Sequence, residues 1–482
     1  MRKTIALFGL ALTLMLVAFF TRLTTGPTPT PTPPPNTTPT PDVSAPTVTN
    51  MPQPVGSSIQ TLTLGEVVRL KAQLERGFVL AGAQQPTRIL IDLDAIDAPT
   101  QSRPSLAVAL VIDRSGSMAG EKMMRAREAA KALVARLLDD DQVALISYAS
   151  DFSEDVPLVR IKGQRERIAR AIDRLLDGGG TNLGGGLTAA IKALTGPTIH
   201  AEARRVILLS DGNANQGVTD PATLAQRVQA ARQDGITVST LGLGLDFNED
   251  LMTLIAESAG GGYYYARNAE AIDDAFEAEL NGLTKLAART VEVGFELGEN
   301  DSVATVYGYR TELHQGRIVL PVGDMSAGEH RRIMVELSLA PRKAGGSANV
   351  GVVLTYATPG DDALREHRGS VRAAVTANAT EVAQSTDRNV VEAFEAAAAA
   401  RARKEAASAF QQGHRANALT QLRKQLESTK SRGAALNSAV LRSQAAEIQN
   451  AIDEVEKSDA SSERGRDLIK QEKLRARKIF AY

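Results

Sequence analysis

Apolar residues follow three different rhythms along this chain. Leu106-Ala-Val-Ala-Leu-Val-Ile112 is an unbroken apolar run, the pattern of a strand covered on both faces of a parallel sheet. Beyond it, helical spacing and short apolar runs take turns. The pattern predicts helices over 121–138, 164–176, 183–195, 221–233, 249–259 and 269–286, with strands over 143–148, 156–161, 204–209, 236–245 and 263–266. Asp220 stands as N-cap ahead of a proline in the first helical turn. Such β-α alternation predicts a doubly wound, mostly parallel α/β domain over residues 104–286, with right-handed crossovers.

On either side the rhythm changes to a period of two. Residues 58–103 alternate in strand fashion (Val67-Val-Arg-Leu-Lys-Ala72, Arg88-Ile-Leu-Ile-Asp-Leu93), and residues 287–378 do so again, as in Val291-Glu-Val-Gly-Phe-Glu296 and Ala348-Asn-Val-Gly-Val-Val-Leu354. The first segment alone is too small for a stable sheet. The two flanks are therefore expected to join into one β-sandwich with the α/β domain inserted between them; separate small β modules are the alternative. Over 379–482 the strand signal gives way to a helical tail, with apolar spacing at Leu419, Leu422 and Leu426 and again at Leu436, Val440, Ile448, Ile452 and Val455. Gly413 and Gly433 divide it into two or three helices. The basic excess between Lys470 and Lys478 reads as a solvated helix face, with contact to an anionic surface as the alternative.

The N-terminus has a separate pattern. Arg2 and Lys3 precede sixteen apolar-rich residues, 5–20, and Arg22 closes them. Residues 1–25 are expected to be an uncleaved signal anchor; a cleaved signal peptide or a buried helix are the alternatives. Either targeting reading exports the remainder, to the cell surface or the periplasm, because basic residues stay on the cytoplasmic side. Residues 26–57 form a Pro/Thr-rich linker, and 11 of the 20 prolines fall between Pro27 and Pro54. Such runs favour extended, solvated polyproline II.

Composition then removes whole classes of chemistry. The 482 residues carry 55 basic and 56 acidic side chains, a net charge of −1, which argues against a binder of phosphate backbones. With no cysteine, disulfides, thiolate metal sites, cysteine nucleophiles and a cysteine-linked lipid anchor are all excluded. No tryptophan and 4% aromatic residues weaken readings built on stacked sugars or bases.

In a doubly wound sheet, ligands bind beyond the carboxyl ends of the strands. Three loops there carry oxygen donors: Asp113-Arg-Ser115-Gly-Ser117 after the first strand, Gly179-Gly-Thr181-Asn182 before the helix at 183, and Ser210-Asp211-Gly212 after the strand ending at Leu209. Two carboxylates and three hydroxyls make a hard donor set, suited to Mg²⁺, Mn²⁺ or Ca²⁺. Two carboxylates only neutralise a dication, so the metal would still take an anionic ligand, most simply a carboxylate from another protein.

Asp113-x-Ser115-x-Ser117, Thr181 in Gly-Gly-Thr-Asn-Leu and Asp211 in Ser-Asp-Gly together resemble the metal-ion-dependent adhesion site of von Willebrand factor type A domains. The resemblance covers residues 104–286 and includes Gly260-Gly-Gly-Tyr-Tyr-Tyr265, similar to the last strand of exported bacterial members. It implies that Ser115, Ser117 and Thr181 coordinate the metal, that Asp113 and Asp211 often act through water, and that a partner's acidic side chain completes the shell. The resulting expectation is a membrane-tethered, non-enzymatic binding protein; the alternative is a scaffold or assembly subunit of a membrane-associated complex.

Rival readings of the same residues are weaker. Gly179–Gly184 mimics a phosphate loop, but Gly185 and Gly186 stand where lysine and a hydroxyl are needed, so no nucleotide is expected. Ser115 and Ser117 lack a G-x-S-x-G elbow and a His–acid pair. His200, His314, His330, His367 and His414 are scattered. Arg114 reads equally as a partner contact and as a solvated loop charge. Tyr263, Tyr264 and Tyr265 read as strand and core, and Asn248 as a helix cap explains Asp246-Phe-Asn-Glu-Asp250 better than a Ca²⁺ loop does.

Overall fold

The computed structural model describes residues 61–96, 103–196, 199, 201–314 and 317–481. The expected anchor and linker, residues 1–57, lie outside the described residues. No helix among the described residues is long and apolar enough to cross a membrane.

Four strands come first: β1 (Thr61–Leu64), β2 (Val68–Leu74), β3 (Phe78–Leu80) and β4 (Gln85–Ala95). The α/β unit follows as β5 (Leu106–Asp113), α1 (Glu121–Arg136), β6 (Gln142–Tyr148), β7 (Phe152–Arg160), α2 (Arg165–Asp173), α3 (Leu183–Ala193), β8 (Ala203–Ser210), α4 (Pro221–Gln233), β9 (Ile236–Leu243), α5 (Glu249–Ala259), β10 (Tyr263–Ala266) and α6 (Ala271–Thr284). Seven more strands return to the flank: β11 (Leu286–Glu296), β12 (Ser302–Tyr307), β13 (Glu312–His314), β14 (Arg317–Ser326), β15 (His330–Leu339), β16 (Ser347–Thr358) and β17 (Asp361–Thr376). The tail is α7 (Ala379–Gln384), α8 (Arg388–Gln411), α9 (Arg415–Ala435), α10 (Ala439–Lys457) and α11 (Glu463–Ala481).

The α/β sheet has the order β10-β9-β8-β5-β6-β7, parallel except for β7. β5 is central, and all eight of its residues are buried, because helices cover both faces. Strand order reverses beside β5, which places the site-forming loops at its carboxyl end. Where the elements differ from expectation, local chemistry accounts for it. α2 stops at Asp173, three residues early, ahead of the Gly178-Gly179 run with its positive φ angles. β7 begins at Phe152; it is an edge strand with a polar outer face and Pro157, which hides its period.

The flanks do join. β4 pairs along its whole length with β15, Ile91 opposite Ile333, inside the sheet β1-β2-β4-β15-β12. The facing sheet is β13-β14-β11-β16-β17-β3, and the two share one core that includes Leu70, Ile91, Val293, Ile333, Leu354 and Tyr356. Each such side chain contributes roughly 1.5–3 kcal/mol by leaving water. The α/β unit is thus inserted between β4 and β11 of a β-sandwich.

Two expectations for the tail are corrected. Gly433 does not break a helix: α9 runs through it, and the absent side chain lets Leu441 approach, since a Cβ there would lie 3.3 Å from the Leu441 Cβ. The break comes at Asn437, whose φ is +46°, and Ser438 caps α10. Nor do Lys470 and Lys473 of α11 form a solvated face. Lys470 and Lys473 are each about 6% exposed. Lys470 Nζ lies 3.6 Å from the Phe247 ring centroid and donates to the Phe247 carbonyl at 3.3 Å, while Lys473 Nζ donates to Asp250 at 2.9 Å. Arg466 completes this docking with a 2.6 Å hydrogen bond to Asp246. The acidic loop at 246–250, read from sequence as a helix cap, caps α5 through Asn248 and also receives α11.

Burial pushes Glu249, beneath those lysines, up to about 7, although Lys470 and Lys473 pull the other way. Between pH 4.5 and 7 the folded chain therefore keeps a proton that the unfolded chain has lost. The stability this proton confers is complete below about pH 4.5 and declines as pH rises through 7. Denaturant unfolding across that window is expected to show wild type losing about 2–3 kcal/mol more than Glu249→Gln, whose amide does not titrate.

Candidate metal centre

Asp113 closes β5 with its side chain fully buried. A carboxylate there must be hydrogen-bonded, and it is: Oδ1 accepts from the Ser115 amide at 2.9 Å and Oδ2 from the Ser210 hydroxyl at 2.8 Å. Burial pushes the Asp113 carboxyl up from the ordinary value; the hydrogen bonds from Ser115 and Ser210 oppose that, and the charge of Asp211 adds to it. Tyr148, at the end of β6, lies under the site and donates to the Leu209 carbonyl at 2.9 Å. Its burial, with the nearby charge of Asp113, holds its hydroxyl well above the usual range.

The serines of the first loop point two ways. Ser115 is buried, Ser117 is exposed, and their hydroxyls lie 3.1 Å apart. Ser117 Oγ also donates to Asp211 Oδ1 at 2.7 Å, which links the loop after β5 to the loop after β8. Thr181, 4% exposed, is held through its backbone: its amide donates to Asn215 Oδ1 at 2.9 Å, and its carbonyl accepts from the Asn215 amide at 3.1 Å. A Cβ built on Gly212 would stand 3.6 Å from both Ser117 Oγ and Thr181 Oγ1, so those hydroxyls share one side of the Asp211–Gly212 turn. All five expected residues come together.

The Gly-rich run beside Thr181 has a packing explanation. A Cβ on Gly184 would fall 2.4 Å from the Val218 carbonyl oxygen, and one on Gly186 would fall 2.7 Å from the Tyr148 ring. These glycines let α3 pack against β6 and the loop after β8, while Asn182 caps α3 through the Gly185 amide at 3.0 Å.

Residues that sequence reasoning passed over complete the site: Ser210, Tyr148, Asn215 and Lys122. The ammonium of Lys122 lies 2.5 Å from Asp211 Oδ2 and 3.2 Å from the Ser117 carbonyl. Its signal in the sequence is a basic residue five positions after Ser117. Arg114 is half-buried, with Nε donating to the Ser147 hydroxyl at 3.2 Å, so it is not a freely solvated loop charge.

The donor chemistry fits a hard divalent ion. Contacts of 2.7 and 3.1 Å link Asp211 to Ser117 and Ser117 to Ser115. Neighbouring ligands of an octahedral ion at about 2.1 Å are spaced by about 3 Å. Among the described residues no three His, Asp or Glu side chains gather as an alternative cage.

Comparison with known proteins identifies the α/β unit. Residues 107–278 match the family model of the von Willebrand factor type A domain. The α/β unit is a von Willebrand factor type A domain. Such vWA domains generally serve protein–protein interaction or adhesion, are generally non-enzymatic, and often bind a divalent metal at the adhesion site. The chain is 31% identical over 271 residues to the uncharacterized protein YfbK of Escherichia coli, covering 54% of this chain and 46% of that one. It is 28% identical over 292 residues to protein sll0103 of Synechocystis, covering 58% and 67%. It thus spans less than half the length of the Escherichia coli relative. A von Willebrand factor type A structure from Catenulispora acidiphila superposes with a TM-score of 0.65 at 20% identity, over 83% of this chain and 91% of that one. At that identity the likeness is one of fold.

Because Gly184 faces a backbone carbonyl that cannot swing aside, Gly184→Ala is expected to cost about 1–3 kcal/mol in thermal or denaturant unfolding.

Proposed function

We propose that this protein is a binding module that captures a protein ligand through a divalent ion, with Mg²⁺ as the first choice and Mn²⁺ or Ca²⁺ as substitutes. Asp113, Ser115, Ser117, Thr181 and Asp211 would hold the ion, and an acidic side chain of the partner would complete its shell. The observation that carries this reading is one oxygen cluster built from separate loops: Ser117 links Ser115 and Asp211 at 3.1 and 2.7 Å, and the Thr181 hydroxyl stands beside the same Asp211–Gly212 turn.

The ion supplies an electron-poor anchor for a carboxylate. The chain's own residues do the rest. Ser210 and the Ser115 amide orient Asp113, Asn215 fixes the Thr181 backbone, and Tyr148 closes the floor. Asp113 and Asp211 would only neutralise the ion, and neutral hydroxyls would fill much of its shell, so it would still accept a partner's acid as a ligand.

The same proposal places the module outside the cytoplasm, at the cell surface or in the periplasm. What supports this is the basic start followed by the apolar residues 5–20, which would tether the chain to the cytoplasmic membrane, and the Pro/Thr-rich residues 26–57, which would hold the folded part away from it.

Thermal or denaturant unfolding in a Mg²⁺ series tests the metal. At about a hundredfold excess over Kd, wild type is expected to gain roughly 2.7 kcal/mol. Asp113→Ala and Asp211→Ala are expected to gain nothing, because the hydroxyls alone hold the ion too weakly. An unchanged wild type would overturn the reading.

A further inference from the structure

Lys122 is hard to explain as a helix residue. It is the second residue of α1, where the positive end of the helix dipole disfavours a cation. Yet its ammonium is not left in solvent. It lies 2.5 Å from Asp211 Oδ2 and 3.2 Å from the Ser117 carbonyl, with its side chain 33% exposed against 0% for Asp211. Its stem also runs past Gly244, where a Cβ would stand 3.9 Å from Lys122 Nζ. Two loops of the site thus converge on one ammonium, with the loop after β9 beside it.

Counting the formal charges among these groups gives the consequence. Asp113 and Asp211 supply −2 and Lys122 supplies +1, so the cluster stands at −1 without a dication and at +1 with one. Among the described residues, fully buried Asp211 forms an ion pair with Lys122. A dication must either displace the ammonium from Asp211 or accept it as a like-charged neighbour.

The geometry points to Lys122 as a tethered counter-ion: it neutralises Asp211 when the divalent ion is absent, competes for that carboxylate as the ion enters, and so weakens the intrinsic metal affinity of the site. The inference rests on the metal reading above and adds a role that the five-residue motif does not contain. It also gives the acidic partner a purpose beyond filling a coordination position, since a partner carboxylate cancels the surplus +1.

The test is direct titration of the full chain with Mn²⁺, followed by the signal of free Mn²⁺ in electron paramagnetic resonance, together with thermal unfolding in chelator and in Mn²⁺. Lys122→Met is expected to bind Mn²⁺ roughly tenfold tighter than wild type, the effect that a partly screened unit charge a few ångström away supports. In chelator the same variant is expected to melt at a lower temperature than wild type, because Asp211 has lost its partner, and to recover more on adding Mn²⁺. Lys122→Arg keeps the charge and is expected to retain the wild-type affinity, while Lys122→Gln serves as a second neutral variant should the methionine disturb folding.

If wild type binds Mn²⁺ and the neutral variants bind equally or more weakly, the counter-ion role is overturned while the metal reading stands. If neither wild type nor the neutral variants bind Mn²⁺, both are overturned. A tighter neutral variant beside an arginine variant like wild type is the result that supports the role, since a purely structural ion pair would lower the melting temperature without tightening the metal.

Discussion

A fully buried strand that ends in a fully buried carboxylate is the constraint from which the site follows. β5 lies at the centre of the α/β sheet, covered on both faces, and Asp113 is its last residue. Water cannot stabilise that carboxylate, so the protein must. The Ser115 amide does so from the loop after β5 and the Ser210 hydroxyl from the end of β8, and Ser117 ties the first of these to Asp211, next to Ser210. A desolvated pair of carboxylates is costly unless cations compensate it. The arrangement therefore calls for positive charge, which Lys122 meets in part and a hard divalent ion would meet fully.

The same requirement shapes the packing around the site. α3 must approach β6 closely enough for Thr181 to reach the Asp211–Gly212 turn, and side chains at 184 and 186 would prevent it. What resembles a phosphate loop in sequence is therefore a close helix–strand contact. Its glycines are needed because Val218 and Tyr148 occupy the space where side chains would go.

Much of this was legible in one sequence, for identifiable reasons. β5 is buried on both faces and reads as an unbroken apolar run up to Asp113, β8 keeps such a run over residues 206–209, and β2 is buried on one face and alternates. The five oxygen donors could be found because each follows a strand or turn that the pattern had already placed. Less visible were residues whose roles depend on three-dimensional partners. Ser210 looks like any strand-end serine until Asp113 is seen beside it, and Lys122 looks like a solvated helix cation. β7 and β17 are polar on one face and carry charges that mask their period. The tail lysines failed for a related reason: composition reports their charge but not the aromatic ring and carboxylate that Phe247 and Asp250 bring to them from another part of the chain.

Those lysines also connect the tail to the site through one loop. The Asn213 side chain, two residues beyond Asp211, donates to the Asp246 carbonyl at 3.0 Å, and the Asp246 carboxylate accepts from Arg466 of α11 at 2.6 Å. The loop that carries a site carboxylate and the loop that receives the tail therefore share a hydrogen bond. Glu249 and Lys470 are buried where the tail docks, and desolvation shifts each of them toward its neutral form, to about 7 and about 8. Charges kept in so dry a contact add little net stability, because desolvation offsets most of their attraction. Their contribution is positional: they fix α11 against the β9–α5 loop, and that loop in turn braces the turn on which Asp211 stands.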